Sequence, residues 1–423
     1  MAELQIYDPR ERRLVDAADR VLALGAGIAR LWPRRASALP PRRILLLRLE
    51  RIGDLLMSAA AIESVRAHAP EATIDLVVGS WNRAIAERIR GVDHVETLDA
   101  PWLARGAAAA GAAGLVSTAW SWRRRGYDLA INFEGDVRSH ALIALGGARR
   151  RVGFAMAGGG PLLTDVVEHG PDRHTADNAA ALVEAAFPDP HRLLAGTIDD
   201  RLPDSQSAAG DAAAPDTANS GFRLDLPEAA RRAARDLIGP HTRYIVVHAS
   251  GGRAIKQWDV DRFATATATI ARALGAAVVL SGAPGDAAIT GQVRAALPAG
   301  IAVVDLTGGP DLLVLAAVLE GARLVLTGDT GPMHLAAAVR APVVAVFGPS
   351  MPVRYAPRST AHRVVRIDLW CAPCNRIRKP PERCVGHTPD CLAGVTVDAV
   401  TAAALSLAAE TEPGRDPARV TGA

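Results

Sequence analysis

The sequence predicts an α/β protein made of two doubly wound parallel sheets facing one another across a cleft. Three observations carry that prediction. Short apolar runs without polar alternation recur along the chain, which suits strands covered on both faces. Ala-rich helical segments separate them, the strand–helix alternation of an α/β fold. The pattern also occurs twice, on either side of "DDRLPDSQSAAGDAAAPDTANSG", Asp199 to Gly221, which has hardly a large apolar residue.

Residues 1–41 form an N-terminal extension. Its stretch Arg13 to Trp32 is amphipathic with basic ends. It is expected to be a helix packed on the domain behind it, although such a helix could also lie on a membrane surface. The first half, residues 42–195, carries strands expected over 43–49 ("RILLLRL"), 73–79 and 128–134, with helices such as 57–69 between them. Residues 196–221 read as a polar linker or a disordered insertion. In the second half, 222–395, strands are expected over 243–250, 276–282, 322–329 and 341–348, with helices such as 261–274. Residues 396–423 should give a closing helix and then a disordered tail. Two such halves imply a cleft between the C-terminal strand edges, where ligands of open α/β sheets sit.

The composition agrees. With 423 residues, 49% hydrophobic and 22% charged, the chain can bury more than one core. A net charge of +3 is too mild to indicate nucleic acid. The arginines cluster before residue 152, as in "PRERR", "WRRR" and "ARRR", which suits an anionic partner for the first half as well as it suits plain solvated arginine. The start of the chain lacks the apolar core of a secretory signal, and no apolar run reaches the ~18–20 residues of a membrane span. A cytoplasmic protein, at most peripheral to a membrane, is the expectation.

The chemistry-bearing motifs lie at strand ends. "LTGDTGPMHLAAA" ends a strand at Thr327, turns through Gly328, Asp329, Thr330 and Gly331, and opens a helix at Pro332 with His334 in its first turn. Free N–H groups and the positive dipole end favour a phosphate there, and Asp329 suits the neighbouring sugar hydroxyls. An Asp N-cap beside a helix-face His would account for the same residues. In "HASGGRAIKQW", Ser250, Gly251 and Gly252 allow close backbone approach and Lys256 offers a point charge to a diphosphate, although the spacing is not that of a Walker loop. "VFGPSMPVRYAP" places Gly348 in a turn-rich loop after a strand, a candidate floor for a nucleotide. "RLERIGDLLMSAAAI" ends a buried strand at a Gly–Asp junction. Gly53 serves the turn, but packing gives no reason for the carboxylate of Asp54.

Taken together and in order, "RLERIGDLLMSAAAIESVRAHAPEATIDLVV", "YDLAINFEGDVRSHALIALGGARRRVGF", "HASGGRAIKQWDVDRFA", "LTGDTGPMHLAAAVRAPVVAVFGP" and the "CAPC…CL" tail resemble glycosyltransferase family 9, which contains the ADP-heptose:lipopolysaccharide heptosyltransferases. The likeness spans roughly residues 42–400. It implies a GT-B fold and inverting, metal-independent transfer of a heptose from an ADP-sugar to a lipopolysaccharide core or related surface glycan. It implies no catalytic cofactor, an anionic glycolipid acceptor, and work at the cytoplasmic face of the inner membrane. Asp54 matches the family's catalytic Asp and Lys256 its phosphate-contacting lysine. Asp329, Thr330, Gly331 and His334 match its donor motif. Asp286, with Ser250 and Gly348, falls on the donor side, and Arg51 and Arg138 fall where an anionic acceptor would meet the first domain. On this reading Asp54 takes the proton of the attacking hydroxyl, while Lys256 and the N–H groups near Thr330 and Gly331 stabilise departing ADP.

All four cysteines lie in "CAPCNRIRKPPERCVGHTPDCL". Cys371, Cys374, Cys384 and Cys391 could close a structural zinc site or hold an iron–sulfur cluster, or stay free thiols in a surface loop. Two other readings use the same fold: a nucleotide-sugar epimerase, which needs no acceptor, and a GT-B binding protein that has lost chemistry.

Overall fold

A computed structural model describes residues 9–30, 40–103, 111–188, 221–359 and 361–412. The linker expected at 196–221, except Gly221, and the tail expected after Glu410, except residues 411–412, lie outside the described residues.

Two six-stranded sheets form the two lobes. The first contains β1 (Arg43–Arg48), β2 (Thr73–Val78), β3 (His94–Thr97), β4 (Leu129–Asn132), β5 (Arg150–Phe154) and β6 (Asp165–Val167) in the order β3-β2-β1-β4-β5-β6. The second contains β7 (Tyr244–His248), β8 (Ala277–Leu280), β9 (Val303–Asp305), β10 (Leu324–Gly328), β11 (Val343–Val346) and β12 (His362–Val365) in the order β12-β11-β10-β7-β8-β9. Every pairing is parallel, with Leu46 opposite Leu76 and Ile131 in one sheet and Leu326 opposite Val247 in the other. The two orders are the same topology. Each sheet reverses at its middle, between β1 and β4 and between β7 and β10, and such switch points open a ligand crevice at the strand C-termini.

The helices follow from the apolar runs they cover. In the first lobe, α2 (Ile52–His68) and α5 (Thr175–Ala186) cover the face bearing Ile44 and Leu46. On the other face, Leu45 and Leu47 pack with Trp122 and with α3 (Ala112–Ser121) and α4 (Val137–Leu145). In the second lobe, α6 (Glu228–Ile238), α9 (Leu312–Glu320) and α10 (Gly331–Ala338) lie on one face. There α7 (Val260–Leu274), α8 (Ala287–Ala296) and the closing helix α11 (Val397–Glu410) lie on the other. One apolar cluster runs from α2 and α5 through α10, so the lobes share a seam as well as a cleft. The leading helix α1 (Pro9–Arg30) packs on the first lobe: the Gly159 amide donates to the Asp19 carboxylate at 2.7 Å.

Candidate active site

The first switch point gathers acids around one buried cation. β1 ends at Arg48, three residues turn, and α2 begins at Ile52 with Asp54 in its first turn. The Asp54 carboxylate accepts from the Arg51 amide at 3.2 Å, so it does cap the helix. Its other oxygen lies 3.6 Å from the Arg48 guanidinium, and its side chain keeps 27% exposure toward the cleft. Glu134, just past β4, is almost fully buried and accepts from the Leu49 and Glu50 amides at 2.6 and 3.0 Å. Arg48 also stands 3.7 Å from Glu134 and 3.6 Å from Glu50, and donates to the Phe133 carbonyl at 2.7 Å. Burial opposes the charge on Arg48, but Glu134, Asp54 and Glu50 outweigh it and hold its pKa above the ordinary value. Burial and the Glu50 charge push Glu134 up to about 8 against the pull of Arg48. Burial and Asp54 raise Glu50 in the same way.

The second switch point holds one lysine against an aspartate. Lys256, on the short turn after β7, donates to the Asp329 carbonyl at 2.5 Å and to its carboxylate at 3.1 Å. Ser350 also donates to that carboxylate. Lys256 is thus held at the start of α10 with one of its three donors still to place. No side chain caps α10, because the Thr330 hydroxyl turns back to Thr327 at 3.1 Å. Ser250 donates to Asp286 at 2.7 Å, and the other Asp286 oxygen accepts from the Ala283 amide at 2.9 Å. Burial pushes His334 down to about 4 despite Asp329 and Asp54 nearby, so its imidazole is neutral at pH 7.

The two helix starts meet. A Cβ on Gly53 would lie 2.8 Å from Cδ2 of His334 and 3.7 Å from the Gly331 Cα. A Cβ on Gly331 would lie 2.4 Å from Cγ2 of Ile52. Gly53 has helical rather than left-handed backbone, so close approach, not a turn, requires a glycine there. Beside this contact a cavity of about 250 Å³ opens between the lobes, lined by Arg48, Glu50, Asp54, Glu134 and Arg138 and, from the second lobe, by Arg354, Tyr355 and Arg378.

Of the residues singled out in the sequence, Asp54 lines this cavity and Gly331 and His334 meet the start of α2 beside it, while Lys256, Asp329 and Thr330 are bonded around the start of α10 and Ser250 to Asp286 on the second sheet. Arg138 lines the cavity, paired with Asp136 at 2.9 Å and stacked on Trp102. Arg51 is exposed at the start of α2 and does not line it. Gly348 has a packing reason: a Cβ there would fall 2.5 Å from Leu392. The four cysteines are free thiols. Among the described residues no group of three or more His, Cys, Asp and Glu is arranged to hold a metal, so a structural metal is not shown. Burial and the three neighbouring thiols push Cys391 up to about 11, as in a packed, protonated thiol. Sequence reading missed Arg48, Glu134, Ser350 and Arg354. The signal for Arg48 was present, as a charge inside an apolar strand that needs buried partners.

Residues 117–384 match the family model for glycosyltransferase family 9 (heptosyltransferase). The chain is 27% identical to lipopolysaccharide heptosyltransferase 2 of Escherichia coli over 340 residues, covering 77% of this chain and 88% of that one. Its fold is similar to that of the E. coli ADP-heptose lipopolysaccharide heptosyltransferase II, with a TM-score of 0.66, 19% identity, and 87% and 99% of the two chains covered. It is also similar to an E. coli heptosyltransferase solved with ADP-2-deoxy-2-fluoro heptose, with a TM-score of 0.54, 20% identity, and 77% and 93% covered. Two facing parallel sheets with the same strand order are the GT-B architecture, and with the family match over most of the chain this identifies a glycosyltransferase: the protein belongs to family 9, the heptosyltransferases.

Proposed function

We propose that the protein moves a heptose from ADP-heptose to a hydroxyl of an anionic lipopolysaccharide-core glycan, with inversion and with Asp54 as the general base. One observation carries the reading: the start of α2, which bears Asp54, meets the start of α10, where Lys256 is bonded to Asp329, so the switch points of the two sheets face one another there. The ADP-sugar bound by a similar enzyme supports the donor class. The acceptor oxygen attacks the anomeric carbon and its proton passes to the Asp54 carboxylate. The bond from that carbon to the β-phosphate oxygen breaks, and ADP leaves with the electron pair. Lys256 and the uncapped amides at the start of α10 meet the charge that builds on the departing diphosphate. Neutral His334 can serve as a hydrogen-bonding wall without adding charge.

Asp54→Asn should lower turnover about 10²–10⁴-fold, the usual worth of a positioned base, and leave ADP affinity unchanged. Full turnover in that variant, read as ADP release with a rough lipopolysaccharide acceptor, refutes the assignment. No helix among the described residues is long and apolar enough to cross a membrane. Peripheral contact with the inner membrane is supported by the outer face of α3, where Val116 and Trp120 are exposed and Arg123 lies over the Trp120 ring with Arg124 alongside.

A further inference from the structure

We infer that Arg354, carried by the donor lobe, is the anion receptor of the interlobe cavity, and that the acceptor sugar presents a carboxylate or a phosphate monoester to it. This rests on the reading of that cavity as the acceptor site.

Four arginines line the cavity. Arg48 is shared by Glu134, Glu50 and Asp54 at 3.6–3.7 Å. Arg138 is paired with Asp136 at 2.9 Å and Arg378 with Glu50 at 3.4 Å. Among the described residues, Arg354 has no carboxylate partner; its guanidinium lies 5.3 Å from the Tyr355 ring centroid. Its Nε is shielded from solvent and has no hydrogen-bond partner. A donor on a charged group left without an acceptor in a buried place is costly. A guanidinium facing a cavity finds its complement in an oxyanion bound through two parallel N–H groups. His169, which lines the cavity near Arg354, is held at about 4 by burial and by the Arg354 charge, so it is neutral and can bond an oxyanion without repelling it.

The segment that carries Arg354 is docked on the first lobe at the start of α5. Thr175 donates to the Arg354 carbonyl at 3.1 Å, and the His174 imidazole lies 2.9 Å from the Ala356 carbonyl. The donor lobe therefore reads a charge on the acceptor only while the lobes are together. Asp54 lines the same cavity, so the anion belongs to the sugar that offers the hydroxyl or to its direct neighbour.

The test compares wild type with Arg354→Gln and Arg354→Lys. Both substitutions keep the main-chain bonds to Thr175 and His174. With ADP saturating the nucleotide site, inorganic phosphate and methyl glucuronide are titrated calorimetrically. At least one of the two anions should bind Arg354→Gln about 10–100-fold more weakly than wild type, with Arg354→Lys between. ADP affinity should be the same in all three. Equal anion affinity in wild type and Arg354→Gln, including none in either, overturns the inference. Transfer is then measured on rough lipopolysaccharide that is native, dephosphorylated with aqueous hydrofluoric acid, or carboxyl-reduced. One treatment should raise the wild-type KM as far as Arg354→Gln raises it on native acceptor, and that treatment names the anion. An Arg354→Gln defect of the same size on all three acceptors overturns the inference while transfer stands. Anion binding that needs Arg354, in a protein that transfers to none of the three, overturns the transfer reading and leaves the receptor.

Discussion

Gly53→Ala tests whether the two lobes must touch for the reaction. The added Cβ would sit 2.8 Å from Cδ2 of His334. Unbonded carbons rest about 3.5–4.0 Å apart, so the ring or the lobes must shift by about 0.7–1.2 Å. The shift cannot be taken up locally at no cost. His334 is buried against the start of α2, and the neighbouring Gly331 Cα lies 3.7 Å from the same Cβ position. Overpacking of this size costs about 1–3 kcal/mol. If that cost is relieved by parting the lobes, it falls on the closed arrangement rather than on folding. Turnover should then drop by about 10–100-fold, with the melting temperature nearly unchanged. ADP affinity should hold within about twofold, because Lys256, Asp329 and Ser350 are bonded to one another within the second lobe, which moves as a unit when the lobes part. The assay is ADP release under saturating donor, beside an ADP titration and a thermal melt. Wild-type turnover in Gly53→Ala would show that the contact is not needed, and an equal loss of ADP affinity would show that the strain enters the donor site instead.

Lys256→Ala should weaken ADP binding by about 10–100-fold by calorimetry, since it removes the cation held at the start of α10 and leaves Asp329 with Ser350; unchanged affinity would remove Lys256 from the donor site. Glu134 binds a proton more tightly when folded, pushed up to about 8 from an ordinary value near 4.5. Its contribution is therefore fully present below about pH 4.5 and lost as pH rises through 8. Glu134→Gln keeps an acceptor for the Leu49 and Glu50 amides, so its melting temperature should fall less than that of wild type between pH 6 and 9, and parallel curves would count against the shift. Trp120→Ser with Arg124→Glu should abolish flotation with phosphatidylglycerol-rich vesicles at low salt without changing ADP affinity; undiminished flotation would place the membrane contact elsewhere.

What the sequence makes legible here follows from how locally each feature is determined. The strands expected in both halves coincide with β1, β2, β4, β7, β8, β10 and β11, because strands buried on both faces write themselves as unbroken apolar runs. The strands not foreseen are β3, β5, β6, β9 and β12. They lie at or next to a sheet edge and carry groups that only distant partners make tolerable, such as Arg150 bonded to Asp165 at 2.9 Å and Glu96 paired with Arg125 at 2.9 Å. The site divides in the same way. Asp54, Lys256, Asp329 and His334 stand at strand–helix junctions that local pattern reveals. Arg48 and Glu134 lie 86 positions apart in sequence and acquire meaning only when β1 and β4 pair across the switch point. Arg354 is an ordinary arginine of a turn until Thr175 of the other lobe fixes its backbone.

The chemistry asks for this division of labour between lobes. One Rossmann-like sheet offers one crevice, and the proposed reaction needs a proton acceptor on one side of the sugar and a diphosphate cradle on the other. Here the first sheet keeps its acids around buried Arg48, and the second keeps Lys256 against Asp329 beside an uncapped helix. Identical strand orders let the two crevices stand mouth to mouth. The glycines at 53 and 331 let the helix starts approach. On the proposed reading, a sugar between them meets Asp54 on one side and its departing diphosphate on the other. With Arg354 reading the acceptor from the donor lobe, the closed arrangement would form most readily when both substrates are present, which favours transfer over hydrolysis of the donor.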